Sequence, residues 1–429
     1  MTRRGGVSRR RFLGRSAVAI GGWATAGVAP RVAFTAATET LRVGVIGCGS
    51  RGTEAADNCV AAAPGVQITA LADAFVDRLK GLKEKYKVPD QRCFVGLDAW
   101  RQLLALSDVD MVILATPPGF RPMHFAAAVE AGKHIFTEKP VAVCAAGVRD
   151  MLEAAKRSEE KKLCVAAGTQ RRHDPRYVET MKRIHDGAIG DLVSAQCYWN
   201  QGGLWVKPRE PKMTDVEWQL RNWLYFVWLS GDHIVEQHVH NIDVINWAFR
   251  ALPDQVHSLG GRQFRTGPEF GNIYDHFGTE FFYPGDVRTI SMCRQIQGTT
   301  GNVSERVVGT KGVSDCAGTI AGEEPWKYEG PTPNPYVEEH RHWIEAIRGG
   351  PYLNEARQVT ESTMCAIMAR ESAYSQQQMK REWFMQRCEL DLRPRPDLKM
   401  TDPLPVTPVA VPGKYQLPGM VKEPQGRRG

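Results

Sequence analysis

The chain has 429 residues, 42% of them hydrophobic, with 55 lysines and arginines against 48 aspartates and glutamates, a net charge of +7. That length is too great for one small core and suits two domains with extensions. The excess charge is local: residues 1–38 carry seven arginines and no acid, and the remaining 48 basic residues equal the 48 acids. A neutral body argues against a nucleic-acid or membrane-surface role driven by charge. Ten scattered cysteines with no C-x-x-C argue against a disulfide framework or a zinc site and predict reduced thiols in apolar niches.

The arginine-rich start reads Ser8-Arg9-Arg10-Arg11-Phe12-Leu13-Gly14 and resembles the twin-arginine export signal. A weakly apolar stretch, Ser16 to Ala29, follows; its glycines and short length do not make a stable membrane span. Residues 1–38 are therefore read as a signal peptide, cleaved between Ala29 and Thr38. The expected destination is the periplasm, reached through the twin-arginine translocation machinery in the folded state.

Residues 39–168 read as an α/β domain of the Rossmann type. Val43, Val45 and Ile46 make a buried-strand run that enters Gly47-Cys48-Gly49-Ser50-Arg51-Gly52, a G-x-G-x-x-G, before a helix over Thr53 to Ala63. Strand, glycine turn and helix together form a dinucleotide site. Gly47 permits the turn, Gly49 admits the pyrophosphate, and Gly52 lets the helix approach the strand. The N–H groups near Ser50 and Arg51 then face the phosphates. A second strand, Val66 to Ala72, ends at Asp73, placed to accept from the ribose hydroxyls and to repel a 2′-phosphate. NAD is thus favoured over NADP. A competing reading makes Asp73 the cap of the next helix, Phe75 to Tyr86.

Asp108 to Thr116 is another buried strand, closed by Pro117 and Pro118; Met123 to Ala131 is a helix. His134 to Thr137 is a strand that delivers Glu138-Lys139-Pro140 to the carboxyl rim of the sheet, where such sheets keep their ligands. A helix over Ala145 to Ser158, with Val148, Leu152 and Ala155 on one face, precedes a last strand, Leu163 to Ala167, of an open, mostly parallel sheet of about six strands.

The glycine motif, the acid after the second strand, the T-P-P ending and E-K-P after A-G-K-H-I-F resemble the Gfo/Idh/MocA family, the glucose–fructose oxidoreductase and inositol dehydrogenase relatives. The resemblance implies that Lys139 lies beside the nicotinamide and the reacting carbinol. Thr116, Pro117, His124, Glu138 and Gln170 join the expected cofactor contacts, and Arg171 the expected substrate contacts.

Residues 169–378 are read as an α+β domain. Pro175 to Asp186 is helical; strands follow at Val193–Trp199, Gln255–Phe264, His276–Tyr283, Arg288–Ile296 and Ser304–Gly309. Strands without intervening helices indicate an open-faced, mostly antiparallel sheet. By analogy its free face makes a homo-oligomer contact. An insertion, Asn200 to Leu229, holds Trp205, Trp218, Trp223 and Trp228; one or two of them are expected to line a pocket suited to a sugar ring.

The family pattern of an acid, then a histidine four residues on, then x-x-D, falls on Glu236, His240 and Asp243, with Glu in place of the usual Asp. On one helix these groups share a face. His240 is the candidate general base, Glu236 an orienting or substrate-binding group, and Asp243 a further substrate or structural group. His233 and His238 raise the alternative of a metal site; the family match favours none. Pro335 to Gln378 is predicted helical, with Val337, His340, Ile344 and Ile347 on a buried face, and is expected to pack back on the first domain. Residues 379–429 form a proline-rich extension that ends in a disordered tail from Val421.

The expected function is NAD-dependent hydride transfer at a secondary alcohol of a sugar or cyclitol, with one tightly held cofactor recycled each turnover. The alternatives are an NAD-dependent glycosidase or epimerase working by oxidation, elimination and reduction, and a non-catalytic sugar-binding protein.

Overall fold

The computed structural model describes residues 40–420; the expected export signal and the tail from Val421 lie outside the described residues. β1 (Leu41–Ile46) is an almost fully buried apolar run, as a central parallel strand requires. It turns through the glycines into α1 (Ser50–Ala62), whose Ala55, Ala56 and Cys59 are small enough to lie close on the sheet. β2 (Val66–Asp73), α2 (Val76–Tyr86), β3 (Cys93–Val95) and α3 (Ala99–Leu104) complete one half. β4 (Met111–Leu114), α4 (Arg121–Glu130), β5 (His134–Thr137), α5 (Ala145–Glu160) and β6 (Val165–Ala167) complete the other.

Among the described residues these strands form a six-stranded parallel sheet in the order β3-β2-β1-β4-β5-β6. The order reverses between β1 and β4, so the crevice at their carboxyl ends is the topological switch point. The short edge strand β3 carries no apolar alternation and was not expected from the sequence.

α6 (Pro175–His185), capped by the Asp174 side chain on Arg176 N, leads into β7 (Leu192–Gln201). The insertion then contributes α7 (Asp215–Arg221) and α8 (Val227–Ser230), followed by α9 (His233–Glu236) and α10 (Val239–Phe249). β8 (Gln255–Gly261), β9 (His276–Tyr283), β10 (Val287–Gln295) and β11 (Asn302–Gly309) follow, then β12 (Gly312–Ser314), β13 (Thr319–Gly322) and β14 (Trp326–Lys327). With a two-residue β15 (Met379–Lys380) they make a nine-stranded sheet among the described residues. Its neighbours are antiparallel except the central pair β7 and β10, which run parallel. Parallel neighbours need a long crossover, and the insertion, two helices and the strands β8 and β9 lie between β7 and β10.

The predicted helix over 335–378 is two helices, α11 (Pro335–Ile347) and α12 (Ala356–Ser375). Gly349, at φ +93°, with Gly350 and Pro351, stops the first. α11 buries Trp343 and Ile344 in the same apolar cluster as Val43, Val45 and Ile113 of the first sheet, and Trp343 Nε1 donates to the Cys164 carbonyl at 3.1 Å. α12 is buried along nearly its whole length and packs on α5 and β8. The chain beyond it runs over the surface. Leu390 and Leu417 anchor it in the main core, and the Leu390 carbonyl accepts from Ala146 N. All ten cysteines are free.

Candidate active site

The glycine turn has the geometry its motif predicts. Gly47 adopts φ +94°, and a side chain there would strike the Ala115–Thr116 backbone. A Cβ on Gly52 would strike the Gly47 carbonyl, so only glycine lets α1 start this close to β1. Gly49 differs: a Cβ there meets nothing nearer than the Arg78 guanidinium at 4.0 Å. The steric freedom at Gly49 serves no protein contact and leaves room for a ligand. α1 begins with no side-chain cap, so its first N–H groups are open to an anion.

A cavity of about 470 Å³ opens over this turn, and Gly47, Gly49, Ser50, Arg51 and Asp73 line it. Asp73 Oδ2 accepts from Cys48 N at 2.7 Å and Oδ1 from Phe75 N at 3.0 Å. Burial pushes its pKa up, and these two N–H groups pull it back. Each oxygen keeps a lone pair for a ribose hydroxyl. Asp73 thus braces the turn after β2; α2 starts without a side-chain cap.

Thr116, Pro117 and His124 form the other end of the cavity wall. Thr116 Oγ1 lies 3.1 Å from His124 Nδ1, and Phe120 stacks on the imidazole at 5.8 Å. Burial lowers the His124 pKa to about 3, so the ring is neutral, and its Nε2 has no hydrogen-bond partner among the described residues. An orphaned buried nitrogen, an uncapped helix start and an empty space at Gly49 fit a dinucleotide.

Sequence reasoning missed Arg121, which holds this rim together. The side chain is 1% exposed; its guanidinium donates to the carbonyls of Glu138 at 2.7 Å and Thr116 at 2.5 Å, and also to that of Leu114. It therefore ties the end of β4 to the end of β5. An arginine at the head of an amphipathic helix looks solvated in sequence, and only the sheet shows that its guanidinium lies beneath the rim.

Glu138 is buried, and its carboxylate pairs with Arg51 Nε at 2.8 Å beneath Gly168. Arg51 also meets Glu54 at 3.2 Å and lies over the Tyr336 ring. Lys139, whose peptide to Pro140 is cis, donates its Nζ to the Glu236 carbonyl at 2.6 Å, with Glu236 Oε1 at 3.6 Å. Glu236 Oε2 is buried with no partner among the described residues.

His240 is 7% exposed and stacks on Trp199 at 5.7 Å. Burial, then the charges of Lys139, Arg171 and Arg51, hold its pKa well below the ordinary imidazole value. Arg171 lies 5.7 Å from the Trp199 ring centre and pairs with the buried Glu305, itself held by Tyr177. Gln170 donates to the Tyr336 hydroxyl at 3.1 Å and leaves Oε1 unpartnered. Lys139, Glu236 and His240 thus form one cluster with Arg171 beside it. None of the four lines the 470 Å³ cavity; Arg51 and Glu138 connect the two.

Two expectations are corrected. Glu236 and His240 are not on one helix: α9 ends at Glu236, and the chain kinks before α10 starts at Val239. Asp243 is not a substrate ligand. It is 1% exposed; Arg172 grips it through both oxygens at 2.8 and 3.0 Å, and Ser362 and Gln358 also donate to it. His233 and His238 point into the core, His233 Nδ1 to Asp232 at 3.0 Å and His238 Nε2 to Ser291 Oγ at 2.6 Å. No group of three or more potential metal ligands is assembled among the described residues.

Of the four insertion tryptophans, Trp205 and Trp223 line the cavity. Trp218 donates to the Lys207 carbonyl and Trp228 to Gln219 Oε1.

Residues 41–167 match the sequence profile described as the oxidoreductase family GFO_IDH_MocA, NAD-binding Rossmann fold, and residues 177–314 match the GFO/IDH/MocA C-terminal domain. The chain is 27% identical over 239 residues to an inositol 2-dehydrogenase of Acidothermus cellulolyticus, which covers 54% of this chain and 61% of the relative. A glycosyl hydrolase family 109 protein of Porphyromonas gingivalis is 30% identical over 162 residues, 37% of this chain and 34% of the relative. In three dimensions the chain resembles scyllo-inositol dehydrogenase of Lactobacillus casei, solved with NAD(H) and scyllo-inositol, at a TM-score of 0.62 and 18% identity over 80% of this chain and 99% of that one. The chain thus spans about three fifths of the first curated relative and a third of the second.

Proposed function

The chain belongs to the Gfo/Idh/MocA oxidoreductase family, and from that premise we propose that it oxidises a secondary alcohol of a cyclitol or sugar with NAD. One observation carries the reading: the Lys139 ammonium is held on the Glu236 carbonyl at 2.6 Å, four residues before the buried His240. When bound, NAD supplies the hydride acceptor at the nicotinamide C4. His240 takes the hydroxyl proton as the carbinol C–H bond breaks. The Lys139 ammonium hydrogen-bonds the carbinol oxygen and favours its loss of the proton. Glu236 keeps Lys139 in place, and its free Oε2 is available to a second hydroxyl.

The arginine-rich start supports export to the periplasm by the twin-arginine route. Free NAD has no evident supply there, so the cofactor is loaded before export and kept, each turnover returning the hydride to a second substrate or to the same one. A homo-oligomer is supported by the outward face of the second sheet, where Leu259, Ile290 and Met292 are exposed.

The second reading is a redox-neutral glycosidase, favoured by the likeness to the family 109 glycosyl hydrolase and by the unpaired Glu236 carboxylate oxygen. The test is to incubate the enzyme with panels of cyclitols, sugars and glycosides and to read the products by mass. Ketone formation matched to NADH or to a reduced co-substrate supports oxidation. Release of an aglycone with no net NADH supports the glycosidase. Absence of NAD from the denatured, purified protein overturns the retained cofactor.

The charge of Arg171 gives a separate expectation. Burial, then the charges of Lys139 and Arg171, hold the His240 pKa down, so the acid limb of kcat/KM lies below the ordinary imidazole value. Removing the ion pair as a unit, in Arg171→Met/Glu305→Gln, is expected to move that limb to higher pH. An unmoved limb in the pH–rate profile removes His240 as the titrating base.

A further inference from the structure

The glycine motif accounts for only one wall of the dinucleotide cavity. The other wall comes from the insertion, whose Trp205, Lys207, Leu220, Arg221 and Trp223 face it across from Asp73, Phe75 and Arg78. The two walls meet in an apolar cluster, where Phe75, Leu97 and Phe120 pack with Val216, Trp218 and Leu220, and in one ion pair. Arg221 donates to both oxygens of Asp77, at 2.9 and 3.1 Å. Asp77 stands in the first turn of α2, four residues past the acid at the ribose end. The Arg221 guanidinium lies 4.0 Å over the Phe75 ring centre, and Glu217 holds its Nε at 3.0 Å.

The insertion wall is braced from behind. Thr214 Oγ1 donates to the Met400 carbonyl and Gln219 Nε2 to the Leu404 carbonyl, each at 2.6 Å. Leu404 N donates to Asp215 Oδ2 at 3.0 Å. Within the insertion, Asn222 accepts from Lys207 N and the Tyr225 hydroxyl donates to the Trp205 carbonyl, and Asn222 also donates to the Glu269 carbonyl between β8 and β9. Against these part-buried supports, the Arg221–Asp77 pair is the exposed joint, with the Asp77 side chain 56% accessible. It is the contact across the cavity that breaks most readily.

We infer that Arg221 latches the insertion onto Asp77 over the adenosine half of the site, and that opening this latch limits NAD exchange. The inference rests on the NAD reading above. A ligand seated on Asp73 lies against the wall that this pair ties down. Slow exchange is what an enzyme needs if it recycles one cofactor molecule.

The full-length protein is loaded with radiolabelled NAD and chased with excess unlabelled NAD. Arg221→Ala and Asp77→Ala are each expected to release label roughly three- to thirtyfold faster than the wild type, since each loses a bidentate pair and the first also loses a ring contact. The swapped pair Asp77→Arg/Arg221→Asp restores slow release. High salt speeds release from the wild type and leaves Arg221→Ala unchanged. Because the pair is exposed, melting temperatures stay within about 2 °C of the wild type; Asp77→Asn serves as a milder variant. Wild-type release rates in both alanine variants, with stoichiometric label bound at the start, overturn the latch alone. A wild-type protein that holds no label overturns the latch together with the NAD reading.

Discussion

Replacing Lys139 by methionine is expected to lower turnover by about 10²–10⁴-fold while NAD remains bound. Methionine keeps the length and the apolar stem but cannot donate to the carbinol oxygen. The Glu236 carbonyl, which accepts from Nζ at 2.6 Å, then loses its partner, so part of the loss comes from a less ordered Glu236. His240→Ala should cost a similar factor, since burial and the nearby cations make His240 the unprotonated acceptor in the cluster. The two groups act on one O–H bond, so the double variant should fall well short of the product of the single losses. The reading is a single-turnover assay of hydride transfer with bound NAD quantified beside it. Turnover within about threefold of the wild type in either single variant removes that residue from the chemistry.

The second large effect separates two glycines that look alike in the motif. Gly52→Ala drives a methyl group into the Gly47 carbonyl, a rigid backbone atom, so α1 must shift away from β1. Such overpacking costs about 1–3 kcal/mol of stability and deforms the turn, and NAD binding should be lost with it. Gly49→Ala meets only the Arg78 guanidinium at 4.0 Å, and the backbone there, at φ −71°, suits alanine. Its melting temperature should match the wild type, yet NAD affinity should fall, because the methyl group occupies the space kept for the pyrophosphate. Thermal unfolding with and without NAD reads both. Equal losses of stability in the two variants, or unchanged NAD affinity in Gly49→Ala, contradict the cradle.

Much of the first domain was legible because its signals are local. A buried parallel strand is a short apolar run, and the glycine turn, Asp73 and Glu138-Lys139-Pro140 each sit at a strand's carboxyl end. The second domain was less so. Its strands were located, but the parallel pairing of β7 with β10 depends on the long crossover between them. Periodicity placed Glu236, His240 and Asp243 on one face. The kink between α9 and α10 breaks that face, and Arg172, Ser362 and Gln358, up to 119 residues away, claim Asp243. Arg121 had no signal at all, since a buried arginine reads like a solvated one until the carbonyls around it are known.

By itself the sequence determined the cofactor half: a strand, a glycine turn and a helix start form one contiguous segment whose backbone sterics dictate the cradle. Gly47 to Gly52 could be read as a dinucleotide turn because each glycine answers to a neighbour a few residues away. Only the tertiary structure decided what closes over that turn. The second wall is held by Arg221 on Asp77, partners 144 residues apart, and by a C-terminal segment packed behind the insertion. The energy of an ion pair or a packed ring depends on distance in space, and spacing along the chain carries no record of it.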